Sequence, residues 1–428
     1  MKLKFISVSL LFLIFLYANL FASEGKKSTN FLDTSKVIQN HKRSNSPGLP
    51  DARLDYQPGK TPKLWSIALA KTIMARYPDY RKAYWKDWTY VQGYMLNGFY
   101  RLYKYTGDKI YLNYIKNYID HFVDKDGNYL GDKLTSLDNI CAGNIIVELY
   151  SFTHDKRYKI AAEKFLHAFD NFPRADGEFW HNESAPNMWA EGVFMGQIFL
   201  LRYGKFIGDS DYCYNEAAKQ IIVFAKHALK DHSGLYLHGW SEQPEKTKWA
   251  NLKTGLAPEV CSEGLGWYSL ILVETLSALP KNNPNRPKVL RIYDGLANGL
   301  KRNQDPKTGD WFLIVDKGHK AGNWIDPSGS AMFTYSLKKG IELGLLNKKI
   351  FEPIVKKAFK GLTEHAKIND HGLVDIYGGS DGIPIKKNYD EYIKLKRSVN
   401  AKEAVGGFLW ASVIMEKQKL KELGKNHE

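Results

Sequence analysis

The chain has 428 residues, with 61 Lys and Arg against 46 Asp and Glu, a formal charge of +15, and 44% hydrophobic, 25% charged and 14% aromatic residues. That balance excludes a disordered acidic chain and a chain built of membrane spans, and it requires a sizeable buried core. The positive excess comes without a long block of like charges or a basic helix interleaved with stacking aromatics, so no nucleic-acid partner is expected, and an acidic ligand or plain solubility is left as its use.

Residues 1–22 read MKLK and then FISVSLLFLIFLYANLFA. A basic start, an apolar run and small residues at its end make a signal peptide cleaved after Ala22, in preference to a retained membrane anchor. With no cysteine beside the cleavage point, no lipid anchor is expected, and the mature chain is expected to be secreted or periplasmic. Residues 23–60 are rich in Ser, Asn, Lys, Pro and Gly without a sustained period, the composition of a linker or poorly ordered arm.

From residue 61 to 428 the pattern is helical, with helices predicted to start near 61, 88, 109, 138, 156, 189, 210, 265, 288, 328, 350 and 401. One unit recurs in RLYKYTGDKIYLNYIKNY from Arg101, ELYSFTHDKRYKIAAEKF from Glu148 and LRYGKFIGDSDYCYNEAAKQ from Leu201. Each is a helix end, a Gly-Asp or His-Asp turn and a new helix, and Asp108, Asp155 and Asp209 stand where a carboxylate caps that helix. Their intervals of 47 and 54 residues are the length of one helical hairpin in a solenoid or toroid. Twelve helices in six hairpins predict an all-α domain, an (α/α)6 barrel. The segments 230–264 and 305–327, rich in Gly, Pro, His and Trp, are too long for simple turns and are where such a ring carries its site.

Four windows hold candidate chemistry. GEFWHNESAPNMWAEGVFM, from Gly177, sets Trp180, His181 and Trp189 around Glu191 at a helix start. A carboxyl group against aromatic walls loses hydration and stays protonated to higher pH, as a general acid requires, while a carboxylate in a first helical turn is also favoured by the helix dipole alone. In TSLDNICAGNIIVELY, either Ser136 or Asp138 caps a helix, or Asp138 is a second functional acid. LYLHGWSEQPEKTKWAN puts His238 and Trp240 in a loop, and APEVCSEGLGWYSL puts Glu263 and Trp267 around two glycines that permit close backbone approach. Flat aromatic faces with polar edges suit a sugar ligand. Cys141, Cys213 and Cys261 are too scattered for a disulfide framework or a zinc site, so no metal and no cofactor is expected.

In their order and spacing, YVQGYMLNGFYRLYKYTGD, the LDN at 137–139, GEFWH, MWAEGVFM, HGW, GLGWY, GNWIDPSGSAMFTYSL and NYDEYIKLKRSVNAKEAVGGFLWA resemble glycoside hydrolase family 105, the unsaturated rhamnogalacturonyl hydrolases. The resemblance runs from about Trp65 to Glu416 and implies an (α/α)6 barrel. It also implies removal of a terminal 4,5-unsaturated uronic acid from lyase-generated acidic oligosaccharides, by protonation and hydration of an enol ether. It places the family's proton donor on Glu191 and a second acid on Asp138. Sugar contacts are implied for His181 and His238, and Trp189, Trp240, Glu263 and Trp267 are the further substrate-binding candidates. Two positions depart from the pattern. The donor is Glu where the family has Asp, and Cys261-Ser262-Glu263-Gly264 stands where the family often has Trp-Gly-Arg-Ala, so the Arg suited to a uronate carboxylate is replaced by an acid. These departures keep open a glycosidase acting on saturated sugars, or a noncatalytic glycan-binding relative.

Overall fold

The structure, a computed structural model, describes residues 52–425. The expected signal peptide at 1–22 and most of the expected linker at 23–60 lie outside the described residues. The helices are α1 (Trp65–Arg76), α2 (Tyr90–Thr106), α3 (Lys109–Ile119), α4 (Leu137–Cys141), α5 (Gly143–Thr153), α6 (Lys156–His167) and α7 (Ala190–Phe206). They continue as α8 (Ser210–Ala228), α9 (Ser262–Ala278), α10 (Arg286–Asn303), α11 (Pro327–Glu342), α12 (Lys348–Glu364), α13 (Tyr389–Ile393), α14 (Lys402–Met415) and α15 (Lys417–Gly424).

Two sequence patterns sort these helices into two layers. Helix α9 buries every residue from Ser262 to Leu276, and α14 every residue from Glu403 to Ile414. A helix apolar around its whole circumference has to be surrounded by protein. Helix α3 instead buries only Tyr111, Tyr114, Ile115, Tyr118 and Ile119, the single stripe of a helix with one wet side. The first kind forms a closed inner ring, in which α2 packs on α4 and α5, α5 on α7, α7 on α9, α9 on α11, α11 on α14, and α14 back on α2. Helices α3, α6, α8, α10 and α12 lie outside their inner partners, and α1 takes the sixth outer place against α14. This is the expected (α/α)6 barrel.

Local chemistry sets the boundaries. Asp108 and Asp155 cap α3 and α6 by accepting the N–H groups of Ile110 and Arg157, each at 3.0 Å, after Gly107 and His154 end the preceding helices in left-handed conformation. The third turn is one residue longer. There the left-handed position falls on Asp209 itself, with φ of 53°, and Asp209 makes no capping bond, contrary to the sequence expectation. Helix α1 begins at Trp65 and not near 61, because its cap comes from a distant residue: Glu416 accepts the N–H groups of Trp65 at 2.7 Å and Ser66 at 3.0 Å. The last part of the expected arm, residues 52–60, is pinned. Leu54 and Gly59 donate their N–H groups to the carbonyls of His371 and Ile368, both at 3.0 Å, beside the strands Ala366–Ile368 and Val374–Gly379.

Because outer and inner helices alternate along the chain, all inner helices run the same way and their N-termini open at one mouth. Asp138, Glu191, Glu263 and Glu403 sit in the first turns of α4, α7, α9 and α14, and Asp326 caps α11. The opposite halves of these helices bury Arg101, Arg202 and Lys339 around Glu148 and Glu274. Acids at the helix starts follow the sign of the helix dipole, while toward the other end three cations are paired with two buried carboxylates.

Candidate active site

Short strands in the loops over the mouth bring the separate windows together. Asn187–Trp189 pairs antiparallel with Gly239–Ser241, with Trp189 opposite Gly239. The Ala190 N–H then donates to the His238 carbonyl at 3.0 Å, so the start of α7 and His238 are fixed together. The next tie runs through His181, whose carbonyl accepts the Leu137 N–H at 3.1 Å and so holds the start of α4. Ser136, not Asp138, caps that helix, accepting the Asp138 N–H at 3.2 Å. The Asp138 carboxylate is thereby left to face His181, Oδ2 lying 3.4 Å from Nε2.

Glu191 is 7% exposed. Its Oε1 lies 2.5 Å from His238 Nε2, and the other side of that ring, Nδ1, lies 2.7 Å from the Tyr392 hydroxyl. Its Oε2 is buried and has no hydrogen-bond partner. Trp189 lies flat on His181, with ring centroids 4.7 Å apart and planes 10° from parallel, and its indole N–H is likewise unpartnered. Burial opposes charge on His181, but the nearby Asp138 and Glu191 carboxylates outweigh it and raise its pKa. Gly264 makes the close fit possible, since a Cβ there would lie 2.3 Å from the His238 ring and 3.2 Å from Glu191 Oε1.

Glu263 forms the inner wall. Its Oε1 accepts the Ile383 N–H at 3.1 Å, and Oε2 is buried without a partner. Burial, and then the Glu403, Asp326 and Glu191 carboxylates, push its pKa well above the ordinary range, so Glu263 holds its proton where an exposed glutamate has lost it. Glu403 beside it accepts the Tyr90 hydroxyl and the Gly382 N–H at 3.0 Å, and Lys402 Nζ stands 3.6 Å away. Burial raises the Glu403 pKa too, against the opposing pull of Lys402 and Tyr90.

The structure thus gathers Asp138, His181, Trp189, Glu191, His238 and Glu263 from four separate windows. It places two other candidates in packing. The Trp240 indole donates to Glu178 at 2.8 Å and stacks on His227 at 3.7 Å, and Trp267 is 1% exposed, wedged edge-on against Tyr94 and at a tilt against Phe194. In the sequence Trp240 stands in a loop with no face to bury, but pairing with Asn187–Trp189 turns that loop into a covered strand. Three further side chains support the site without a local sequence signal that marks them: Tyr90, Tyr392 and Glu403. Each lies within the YVQGYM or NYDEYIKLKRSVNAKEAVGG segments, where the signal was present but spread over residues of ordinary helical character. Among the described residues no group of three or more His, Cys, Asp or Glu is arranged to hold a metal ion.

The sequence model described as Glycosyl Hydrolase Family 88 matches residues 65–419. A 24.9 kDa protein in the picA locus of Rhizobium radiobacter is 32% identical over 152 residues, 36% of this chain; the chain spans only 63% of that relative's length. The unsaturated rhamnogalacturonyl hydrolase YesR of Bacillus subtilis is 23% identical over 78% of this chain and 91% of its own length. Among solved structures, a family 105 glycoside hydrolase of C. acetobutylicum superposes with a TM-score of 0.77 at 29% identity, covering 83% of this chain and 99% of that one. With the barrel and nearly the whole described sequence matched, the chain belongs to glycosyl hydrolase family 88 and is a relative of the family 105 hydrolases.

Proposed function

We propose that this protein is a glycosidase that removes a terminal 4,5-unsaturated uronic acid from oligosaccharides left by polysaccharide lyases. The observation that carries the reading is Glu191: one carboxyl oxygen is held by His238, the other is buried without a hydrogen-bond partner, and the carboxylate acts on His181, which Trp189 covers. Such a carboxyl group is placed to give a proton to C4 of the enol ether. The ring oxygen stabilises the cation at C5, and water adds there, losing its proton to the same carboxylate. The hemiketal then opens and the aglycone leaves. Asp138, paired with His181, orients the sugar ring against Trp189. YesR and the unsaturated 3S-rhamnoglycuronyl hydrolase of Formosa agariphila, 24% identical over 65% of this chain, carry names that agree with this reaction.

The mouth is acidic, which at first sight opposes a uronate. Burial and the neighbouring carboxylates favour the protonated form of Glu263, and Lys402 stands 3.6 Å from Glu403, so both lessen the negative charge felt by an acidic sugar. The apolar segment at 1–22 supports action outside the cytoplasm. The test is loss of the ultraviolet absorbance of unsaturated uronides on incubation with pectic, arabinogalactan or ulvan lyase products. Glu191→Gln should lower turnover about 10²- to 10⁴-fold with its fold intact, the usual worth of one general acid. Unchanged absorbance with every product, or release of a saturated sugar from an untreated glycan, overturns the proposal.

A further inference from the structure

Tyr392 lies on the short helix α13, far in sequence from every window that supplies the acid, and it is fully buried. Its hydroxyl is 2.7 Å from His238 Nδ1, while Nε2 on the other side of the ring is 2.5 Å from Glu191 Oε1. The Lys386 backbone N–H also lies near the phenol oxygen. Burial, with the Cys261, Glu191 and Glu259 groups nearby, keeps the phenol protonated. The acceptor placed for that hydrogen is Nδ1. Any other arrangement, with Nδ1 protonated or the ring doubly protonated, leaves a buried O–H unmatched, and a buried unmatched donor is strongly disfavoured.

We infer that Tyr392 is a positioning residue that fixes His238 as the neutral Nε2–H tautomer and thereby fixes which oxygen of Glu191 carries the catalytic proton. With Nδ1 accepting from Tyr392, Nε2 must donate to Oε1. Oε1 is then an acceptor, and the proton of the acid form sits on Oε2, the oxygen with no protein partner. The imidazole takes no proton from Glu191 in this arrangement. Without the phenol the ring is free to flip its tautomer, Nε2 becomes an acceptor, and the carboxyl proton turns inward to His238, away from the sugar. The remaining contacts of His238 do not choose a tautomer: its backbone N–H donates to the Glu259 carbonyl, and Trp189 lies 6.4 Å away at a tilt.

This role rests on Glu191 being the proton donor, and the experiment separates the two claims. Histidine labelled with ¹⁵N, with the His238 signals assigned from a His238→Gln variant, reports the tautomer directly and needs no turnover. The expected wild-type spectrum has a protonated Nε2 and an unprotonated Nδ1. In Tyr392→Phe, which keeps the ring and its packing, that single state should give way to a mixture. Turnover should fall about tenfold, the scale of one buried hydrogen bond, with KM little changed. A wild-type ring protonated at Nδ1, or a Tyr392→Phe variant with unaltered turnover, overturns the inference. The wild-type spectrum decides the tautomer even if the variant folds poorly. If Glu191→Gln stays active, the donor assignment falls, whatever the tautomer.

Discussion

Replacing Glu191 by Asp gives the position the residue type that the family 105 resemblance implies for the donor, and the geometry here predicts that it lowers the proposed turnover. The carboxyl group retracts by about 1.5 Å, the length of one C–C bond. Oε1 now lies 2.5 Å from His238 Nε2, so the shortened side chain leaves a gap of about 4 Å, beyond hydrogen-bonding range. The neighbours do not follow it inward. Ala190 is tied to the His238 carbonyl, His238 to Tyr392, and the His238 ring packs against Gly264 so closely that even a Cβ would not fit there. A hydrogen bond to a charged group is worth about 1.5–3 kcal/mol, so turnover should fall roughly 10- to 150-fold. The assay is the initial rate of ultraviolet absorbance loss on an unsaturated uronide under saturating substrate, with wild type and Glu191→Gln as upper and lower limits. Glu191→Asp with turnover equal to or above wild type would show that the longer side chain does not compensate for a backbone set further back, and the reasoning fails.

Two further substitutions test the wall and the frame. Burial and neighbouring carboxylates raise the Glu263 pKa in the folded chain above its ordinary value of 4.5, so its contribution to stability is complete below that value and is lost as pH climbs toward the folded one. Glu263→Gln removes this titration, and its melting temperature relative to wild type should therefore increase from about pH 5 to about pH 8; a pH-independent difference would refute the assignment of a raised value. Glu416→Ala leaves the first N–H groups of α1 without their acceptor and should cost about 1–2 kcal/mol, the worth of a helix cap. It should lower the urea midpoint without changing the slope, and an unmoved midpoint would mean that water replaces the carboxylate at no cost.

The barrel was legible because each helix in it repeats one local decision. The Gly-Asp and His-Asp turns mark where one helix stops in a left-handed residue and the next starts under a capping carboxylate, and both signals act within four residues. The same local rule failed at Asp209, where a single added turn residue moved the left-handed position onto the aspartate. The start of α1 was misplaced for a different reason. Its cap is Glu416, about 350 residues away, and nothing near Trp65 announces it.

The site divides along the same physical line. Glu191, Asp138 and Glu263 were legible because they occupy first turns of inner helices, where the sequence shows an acid at the start of an apolar run. The N-terminal dipole that favours an anion there also aims all of these acids at one mouth. What those acids do is decided by partners from other turns of the ring, and no local pattern reports them. Glu191 is held by His238 across 47 residues, His238 by Tyr392 across 154, and Glu263 by the Ile383 N–H across 120. Trp240 illustrates the converse. Its loop looked open, yet three paired residues of strand with Asn187–Trp189 and a hydrogen bond to Glu178 commit the indole to packing. Chemistry at this mouth is therefore supplied by helix starts and selected by loops, so substitutions at first-turn acids should change turnover, whereas changes in 383–398 should act through the orientation of His238 and Glu263.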